Sequence, residues 1–373
     1  MKAQLIFQEG SSNKFWHIDV QGNTYTVTYG RAGTDGTSKT KEFASPEVAL
    51  KDAQKMIASK KKKGYVETSA KAVIVRDDHN FVGKPIRKFA TSINPSSAVK
   101  VLSDYDEASK VSDKLERLAK LPEAQEMDTL IIGTWQDSHD PTLSPIIEKI
   151  KELKGAFSGL KHLFVGDMDS EECEMSWIQQ VDYSDFYQHY PVLETFGVRT
   201  GEGLKLGNIK LPYLKNLIIE TGGMNKSILN DVINSDLSSL EHLELWLGTD
   251  DYGCDIGMDE LKPLLNKTYP NLKYLGLKNY HEQTELAKHL KGAPILNTVE
   301  TLDISMGILK DEGAEALYNN DDLLKLKHIN CRHHFISAAW QKKLKEKFAS
   351  QNINLADAEE PYDEDYYYVE IGE

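Results

Sequence analysis

The chain has 373 residues, 40% hydrophobic and 27% charged, enough for two or three soluble globular domains. No apolar run approaches the ~20 residues that span a bilayer, and the opening MKAQLIFQEG has no apolar signal core. Cys173, Cys254 and Cys331, few and far apart, exclude a disulfide framework and a paired-cysteine zinc site, and a cytoplasmic location is expected. The net charge of −14 argues against a dedicated DNA coat, yet residues 1–66 carry 11 Lys/Arg against 6 Asp/Glu. That net of +5 leaves −19 for the remainder, so separate domains with separate partners are expected.

NKFWHIDV and NTYTVTYG each alternate apolar and polar residues, the mark of half-buried strands, with the turn QGN between them. GRAGTDG then breaks the chain, and SKTKEF reads as a further strand. Ser45, Pro46 and Glu47 supply an N-cap, a first-turn proline and an acid at the positive end of a helix dipole. Leu50, Ala53 and Ile57 are expected on one face of that helix, and Gly64 to stop it. The three glycines lie between two strands rather than before a helix N-terminus, and no Lys-Ser/Thr follows them. A phosphate-cradling loop is therefore not expected.

Residues 3–67 resemble a WGR domain: the KFW strand, the GRxGxxG turn, the capped helix and the closing KxxGY occur in that order. The resemblance implies a small sheet flanked by one helix. It also implies contact with nucleic acid, the signature tryptophan packing on the sugar-phosphate. That tryptophan is Tyr29 here, a smaller aromatic face. Arg31 can clamp a phosphate with its planar fork, and Lys39 and Lys41 share one strand face as backbone-tracking cations should. Tyr29, Arg31, Lys39 and Lys41 are the candidate nucleic-acid residues. An interdomain or protein contact stays open, as does a plain scaffold in which Tyr29 and Trp16 are core aromatics.

Further along, MDTLIIG, LKHLFVG, LETFGVR, LKNLIIE, LEHLELW, LKYLGLK, VETLDIS and LKHINCR are eight copies of one strand pattern, 21–33 residues apart. Helical spacing fills the intervals in LSPIIEKIKEL, KSILNDVIN, DELKPLLNKTY, TELAKHL and DEGAEALY. Strand plus helix at this period is the pattern of leucine-rich repeats, although the period is irregular and an asparagine ladder is missing. A WGR domain followed by irregular leucine-rich repeats resembles a group of bacterial proteins. The expected fold is multidomain, a small α+β WGR-like domain plus an α/β leucine-rich-repeat solenoid with parallel strands on its concave face and helices outside. The domains are expected at 1–67, 68–125 (linker and N-terminal cap), 126–348 (repeats) and 349–373 (acidic tail).

The residues interleaved with the strand leucines are expected to point outward on the concave face. Trp135, Phe164, Arg199, Trp246, Tyr274, Tyr280 and Arg332 are the candidate protein-binding residues, with Trp246 and Tyr274 as anchors. The tail ADAEEPYDEDYYYVEIGE, eight acids and four tyrosines without Lys or Arg, reads as a disordered, solubilising end. Its other reading is a phosphate mimic docked on the basic N-terminal module. DSHD at 137–140 could supply a His-carboxylate pair, but no nucleophile or oxyanion donor accompanies Asp137 and His139. DDYGCDIGMD at 250–259 lacks the ligand spacing of an EF-hand, and His333-His334 lacks further metal-spaced ligands. No catalytic residue, metal or cofactor is expected. The expectation is a non-enzymatic adaptor, its repeats holding a protein and its N-terminal domain attaching to DNA or RNA; the alternative is a pure protein-interaction scaffold.

Overall fold

The computed structural model describes residues 2–9, 12–31, 36–61, 63, 65–67, 75–104, 107–135, 143–362 and 366–372. The chain divides into two compact units, Met1–Gly83 and Lys84–Glu373: a small N-terminal sheet domain and a large parallel-strand sheet with helices.

In the first unit, β1 (Lys2–Glu9), β2 (Ser12–Gln21), β3 (Thr24–Arg31), β4 (Thr37–Glu42) and β5 (Val66–Glu67) form an antiparallel sheet in the order β4-β3-β2-β1-β5. β1 precedes the first strand expected from sequence. Directly opposed residues share a sheet face, so Trp16 and Tyr29, Ile18 and Val27, and Val20 and Tyr25 lie together. Beneath the helix α1 (Pro46–Lys61), Ala49 and Ala53 are buried with Leu5, Trp16, Ile18, Val20, Tyr25 and Val27. Small residues on the helix let it approach a sheet of large ones. Ile57 packs at the edge of this core, while Leu50, expected on the buried face, is exposed. The Ser45 hydroxyl accepts from Val48 N at 3.4 Å, as its N-cap position requires. Gly36 shows why the turn before β4 needs glycine: φ is +67°, and a Cβ would lie 2.8 Å from the Tyr29 carbonyl oxygen. Gly33 and Gly64 lie outside the described residues.

In the second unit the strands are β6 (Lys84–Lys88), β7 (Ala98–Val101), β8 (Thr129–Ile132), β9 (His162–Val165), β10 (Thr195–Thr200), β11 (Asn216–Thr221), β12 (His242–Gly248), β13 (Tyr274–Tyr280), β14 (Thr301–Asp303), β15 (His328–Asn330) and β16 (Ile353–Asn354). They pair in parallel with neighbours in chain order from β6 to β16. Leu130, Leu163, Phe196, Leu217, Leu243, Leu275, Leu302 and Ile329, the central residues of the eight strand patterns, form one continuous buried row. Val99 and Ile353 extend it at its two ends. The helices α2 (Val111–Ala119), α3 (Ser144–Glu152), α4 (Lys226–Asn234), α5 (Met258–Leu265), α6 (Gln283–His289), α7 (Asp311–Tyr318) and α8 (Ala338–Lys347) lie between strands in the chain. Asn225 caps α4 by accepting from Ser227 N and Ile228 N at 3.1 and 3.2 Å. Where no α-helix intervenes, from β9 to β11, Tyr183, Phe186, Tyr187 and Tyr190 pack on and around Phe196 and fill the space. Their hydroxyls are satisfied inside: Tyr183 donates to Gln180, Tyr187 to the Leu206 carbonyl and Tyr190 to the Ile150 carbonyl.

A second row runs beside the leucines. Asp128, Lys161, Glu194, Lys215, Glu241, Lys273, Glu300 and Lys327 each immediately precede their strand, and from Lys161 onward each N–H donates to the previous member's carbonyl at 2.7–2.8 Å. Their charges alternate without a break.

Two expectations are corrected here. Residues 84–101, placed in a linker and cap, supply the first two parallel strands of the sheet. Among residues 349–362 and 366–372, expected as a solvated end, β16 extends the sheet and Leu355 and Val369 are buried. Among the described residues no helix is long and apolar enough to cross a membrane.

Candidate functional site

The helix-bearing face of the N-terminal sheet runs out into solvent at the β3 end. Tyr29 stands opposite buried Trp16 yet is 38% exposed, because α1 covers the middle of the sheet and leaves this end bare. Arg31 and Lys14, both exposed, oppose each other two residues on, on the same face. From the C-terminal turn of α1, the Lys60 ammonium lies 5.6 Å from the Trp16 ring and 4.7 Å from that of Tyr65. Partial burial and then the like charge of Lys63 hold Lys60 below the usual lysine range. Lys39 and Lys41 stand opposite Val27 and Tyr25, so they share the helix-bearing face with Tyr29 and Arg31. The two lysines are not equivalent. Lys41 pairs with Asp52 on α1 at 3.3 Å and lies over the Phe43 ring at 4.6 Å, which ties it into the sheet-helix seam. The structure thus gathers Tyr29, Arg31, Lys14 and Lys60 at one end of the face, with Lys39 farther along it. Lys14 and Lys60 had no pattern of their own in sequence; cross-strand register and the helix end bring them in.

On the large sheet the expected exposure of the aromatics is overturned. Trp135, Phe164, Trp246, Tyr274 and Tyr280 are all buried, with Trp246 and Tyr274 each 7% exposed. Trp135 and Tyr280 belong to the main core, and the side chains interleaved with the leucines pack on one another. The His242 ring stacks on Tyr274 with centroids 4.0 Å apart and planes 3° from parallel. Tyr274 donates to Asp303 at 2.9 Å. Glu244 accepts from the Trp246 indole at 2.7 Å and from Lys278 at 3.0 Å. Burial alone would raise the Glu244 carboxyl, but the Lys278 charge together with His242 and the Trp246 indole outweighs it and holds the group well below the usual carboxylate range. Arg199 donates to Glu220 at 2.8 Å and lies 5.7 Å from the Trp246 ring, so it is held from both sides. Arg332 keeps 34% of its side chain exposed and pairs with Asp357 at 2.9 Å and with Glu370.

Glu370 comes from the acidic tail, and its position corrects the other reading of that segment. Residues 366–372 lie on the second unit, where Ile371 joins Met175, Trp246 and Met306 in one apolar cluster. The remaining sequence motifs take structural parts. Asp250–Tyr252 is a short 3-10 turn, and Asp255 accepts from Lys226 N at 2.5 Å. His334 follows the last long-paired strands, its Nδ1 accepting from Ile336 N at 3.1 Å. Asp137 and His139 lie outside the described residues. Among the described residues no group of three or more His, Cys, Asp or Glu is placed to hold a metal ion.

Comparison with known proteins finds relatives of the N-terminal part and of the whole chain. The WGR domain family model matches residues 1–72. Two Escherichia coli (strain K12) proteins are similar over this part: YfeS, 49% identical over 67 residues, 18% of this chain and 28% of that protein, and YehF, 44% identical over 63 residues, 17% of this chain and 23% of that protein. The matched segment is thus under a third of the length of either relative. A crystal structure of a Bacteroides fragilis protein is similar over 100% of both chains, with 35% identity and a TM-score of 0.70. The chain belongs to the family of this Bacteroides fragilis protein, and its residues 1–72 are a WGR domain.

Proposed function

We propose that the protein is a non-enzymatic adaptor, in which the WGR domain attaches to DNA or RNA and the large sheet, a leucine-rich-repeat solenoid, holds a protein partner. The observation that carries the first half is the bare end of the helix-bearing face, where exposed Tyr29 stands next to the Arg31–Lys14 pair and Lys60 lies over the neighbouring Trp16 ring. A planar ring beside gathered cations suits a sugar-phosphate backbone with no demand on sequence, and WGR domains are of a nucleic-acid-binding type. Strand order that follows chain order, with one leucine per strand in a single row, supports the solenoid reading. The partner's seat is not the set of aromatics expected from alternation, which are buried.

Fluorescence anisotropy of the full chain with labelled nicked duplex, intact duplex and single strand, at two salt concentrations, tests the first half. Binding should fall steeply with salt. Tyr29→Ala should weaken it by about 1–3 kcal/mol, the range for loss of one base-stacking aromatic. Arg31→Ala should weaken it and flatten the salt dependence. No binding at low salt would leave the pure protein-interaction scaffold as the reading.

A further inference from the structure

Three non-glycine residues in backbone conformations usual for glycine lead to a second site. Asn279, Met306 and His333 all have positive φ, +54°, +70° and +54°. Each lies four residues after the row residue of its strand, Leu275, Leu302 and Ile329, so they are the same position in three consecutive repeats. Left-handed backbone at non-glycine residues is costly and persists where surroundings demand it. What the three share is the tail. Asn279, fully buried, reads both main-chain groups of Ile371: its Nδ2 donates to the Ile371 carbonyl at 2.6 Å and its Oδ1 accepts from Ile371 N at 3.0 Å. The Met306 carbonyl accepts from Glu370 N at 2.9 Å. The His333 Nε2 meets the Tyr368 carbonyl at 3.2 Å. The segment therefore crosses the repeats one after another, against their order in the chain. Two repeats further, a Cβ on Gly222 would come within 2.6 Å of the Gly372 carbonyl oxygen, so that glycine leaves room for the segment to pass.

Most of these contacts address main chain, and two side chains are read. Arg332 takes the Glu370 carboxylate, and the apolar cluster around Trp246 takes Ile371. Main-chain hydrogen bonds with pockets for particular side chains are how proteins hold extended peptides. We propose that this line of strand ends is a peptide-binding groove occupied in cis by residues 366–372, and that a protein bearing an extended segment with an acidic residue directly before a branched aliphatic one binds by displacing the tail. The proposal rests on the reading of the second unit as the seat of a protein partner, and names that partner's chemistry and its control. A tethered segment competes at an effective concentration of about millimolar, so the intact chain is a closed form.

The probe is a fluorescein-labelled peptide of residues 366–372, titrated into the intact full chain and into full-length Ile371→Asp, which unseats the tail by burying a charge. The peptide should bind Ile371→Asp at least about tenfold more tightly than the intact chain, the expected relief from cis competition. Adding Asn279→Ala, or placing aspartate at the peptide's isoleucine, should abolish the gain. Equal binding to both chains, or a gain indifferent to Asn279→Ala, would overturn the groove. Loss of the cooperative melt of Ile371→Asp would overturn it too, since the tail would then be part of the folded core. So would an intact chain that is a dimer and becomes monomeric in Ile371→Asp, which would make a second copy the occupant. Duplex anisotropy on the same preparations reads the WGR domain separately, so failure of either half leaves the other measurable.

Discussion

The two sheets use the same residue types in opposite ways. In the antiparallel WGR sheet a single helix covers the middle of one face, so position along a strand decides exposure: Trp16 is buried and Tyr29, its cross-strand neighbour, is not. In the parallel sheet the aromatic and charged residues that alternate with leucines are buried against each other. Trp246, Tyr274, Glu244 and Lys278 form a packed layer there rather than a rim. An exposed cation beside a ring is available to a ligand; a buried one holds the fold. The comparison is sharpest at the charges, because deleting a partner has different consequences in the two settings.

Lys278→Met should give the largest effect. It leaves the Glu244 carboxylate, whose side chain is 13% exposed, without its cation. Breaking a buried pair in this way costs about 3–5 kcal/mol, far more than the pair adds over an apolar substitute. The effect of pH carries the sign. Glu244 is held below its unfolded value of about 4.3, so its ionisation contributes stability above that pH, and the contribution is lost as pH falls through the folded value. With Lys278 gone, burial, the largest single influence on Glu244, has one opponent fewer, and the carboxyl should rise toward or above about 4.3. The variant's deficit should then shrink as pH is lowered toward that value, which denaturant melts at pH 7 and pH 4.5 would show. A deficit that is constant with pH would mean that packing of the Lys278 stem, not the charge, is what was lost.

Leu243→Ala tests the layer beneath. Leu243 is fully buried between Leu217 and Leu275 in the continuous row, and its truncation should cost about 2–5 kcal/mol by loss of burial and the cavity left behind. Chemical denaturation should show a lower midpoint. Duplex binding by the WGR domain should be unchanged, since Tyr29 and Arg31 belong to the other unit.

The leucine row was legible in sequence because burial of one residue per strand is a strong, repeated constraint, and all eight positions fall in one register. Helices α4 and α7 were legible to the residue for the same reason. Exposure was not legible: Phe164 is buried by neighbours on its own face, and the left-handed Asn279 breaks the alternation so that Tyr280 enters the main core. Nor were Lys14 and Lys60, which reach Arg31 and Trp16 only through cross-strand register and the length of α1. The tail misled through composition. Its acids suggested solvation, whereas the contacts that seat it are mostly main-chain ones that leave no mark on composition.

One signal lay in plain sight within the aligned strand patterns. Their second positions read Asp, Lys, Glu, Lys, Glu, Lys, Glu, Lys, and the structure sets these in a single file before the strands. Lys161 and Lys215 flank Glu194 at 3.0 and 2.6 Å, and Lys273 and Lys327 flank Glu300 at 3.9 and 2.6 Å. Each exposed pair is worth only about 0.2–1 kcal/mol, too little to hold the sheet together, yet alternation discriminates between arrangements of the repeats. Correct neighbours differ by one repeat and carry opposite charges, whereas a strand that skips one repeat meets its own sign. Glu300→Lys puts three cations in succession and should cost about 1 kcal/mol at low salt, shrinking as ionic strength shortens the screening length to about 10 Å and below. Adding Lys327→Glu should recover more than half of that, because Lys327 is the closer partner of Glu300 and its reversal restores the shorter contact. A loss that is insensitive to salt, or a double variant no better than the single one, would show that these side chains act through packing and that the alternation of sign does not choose the neighbours.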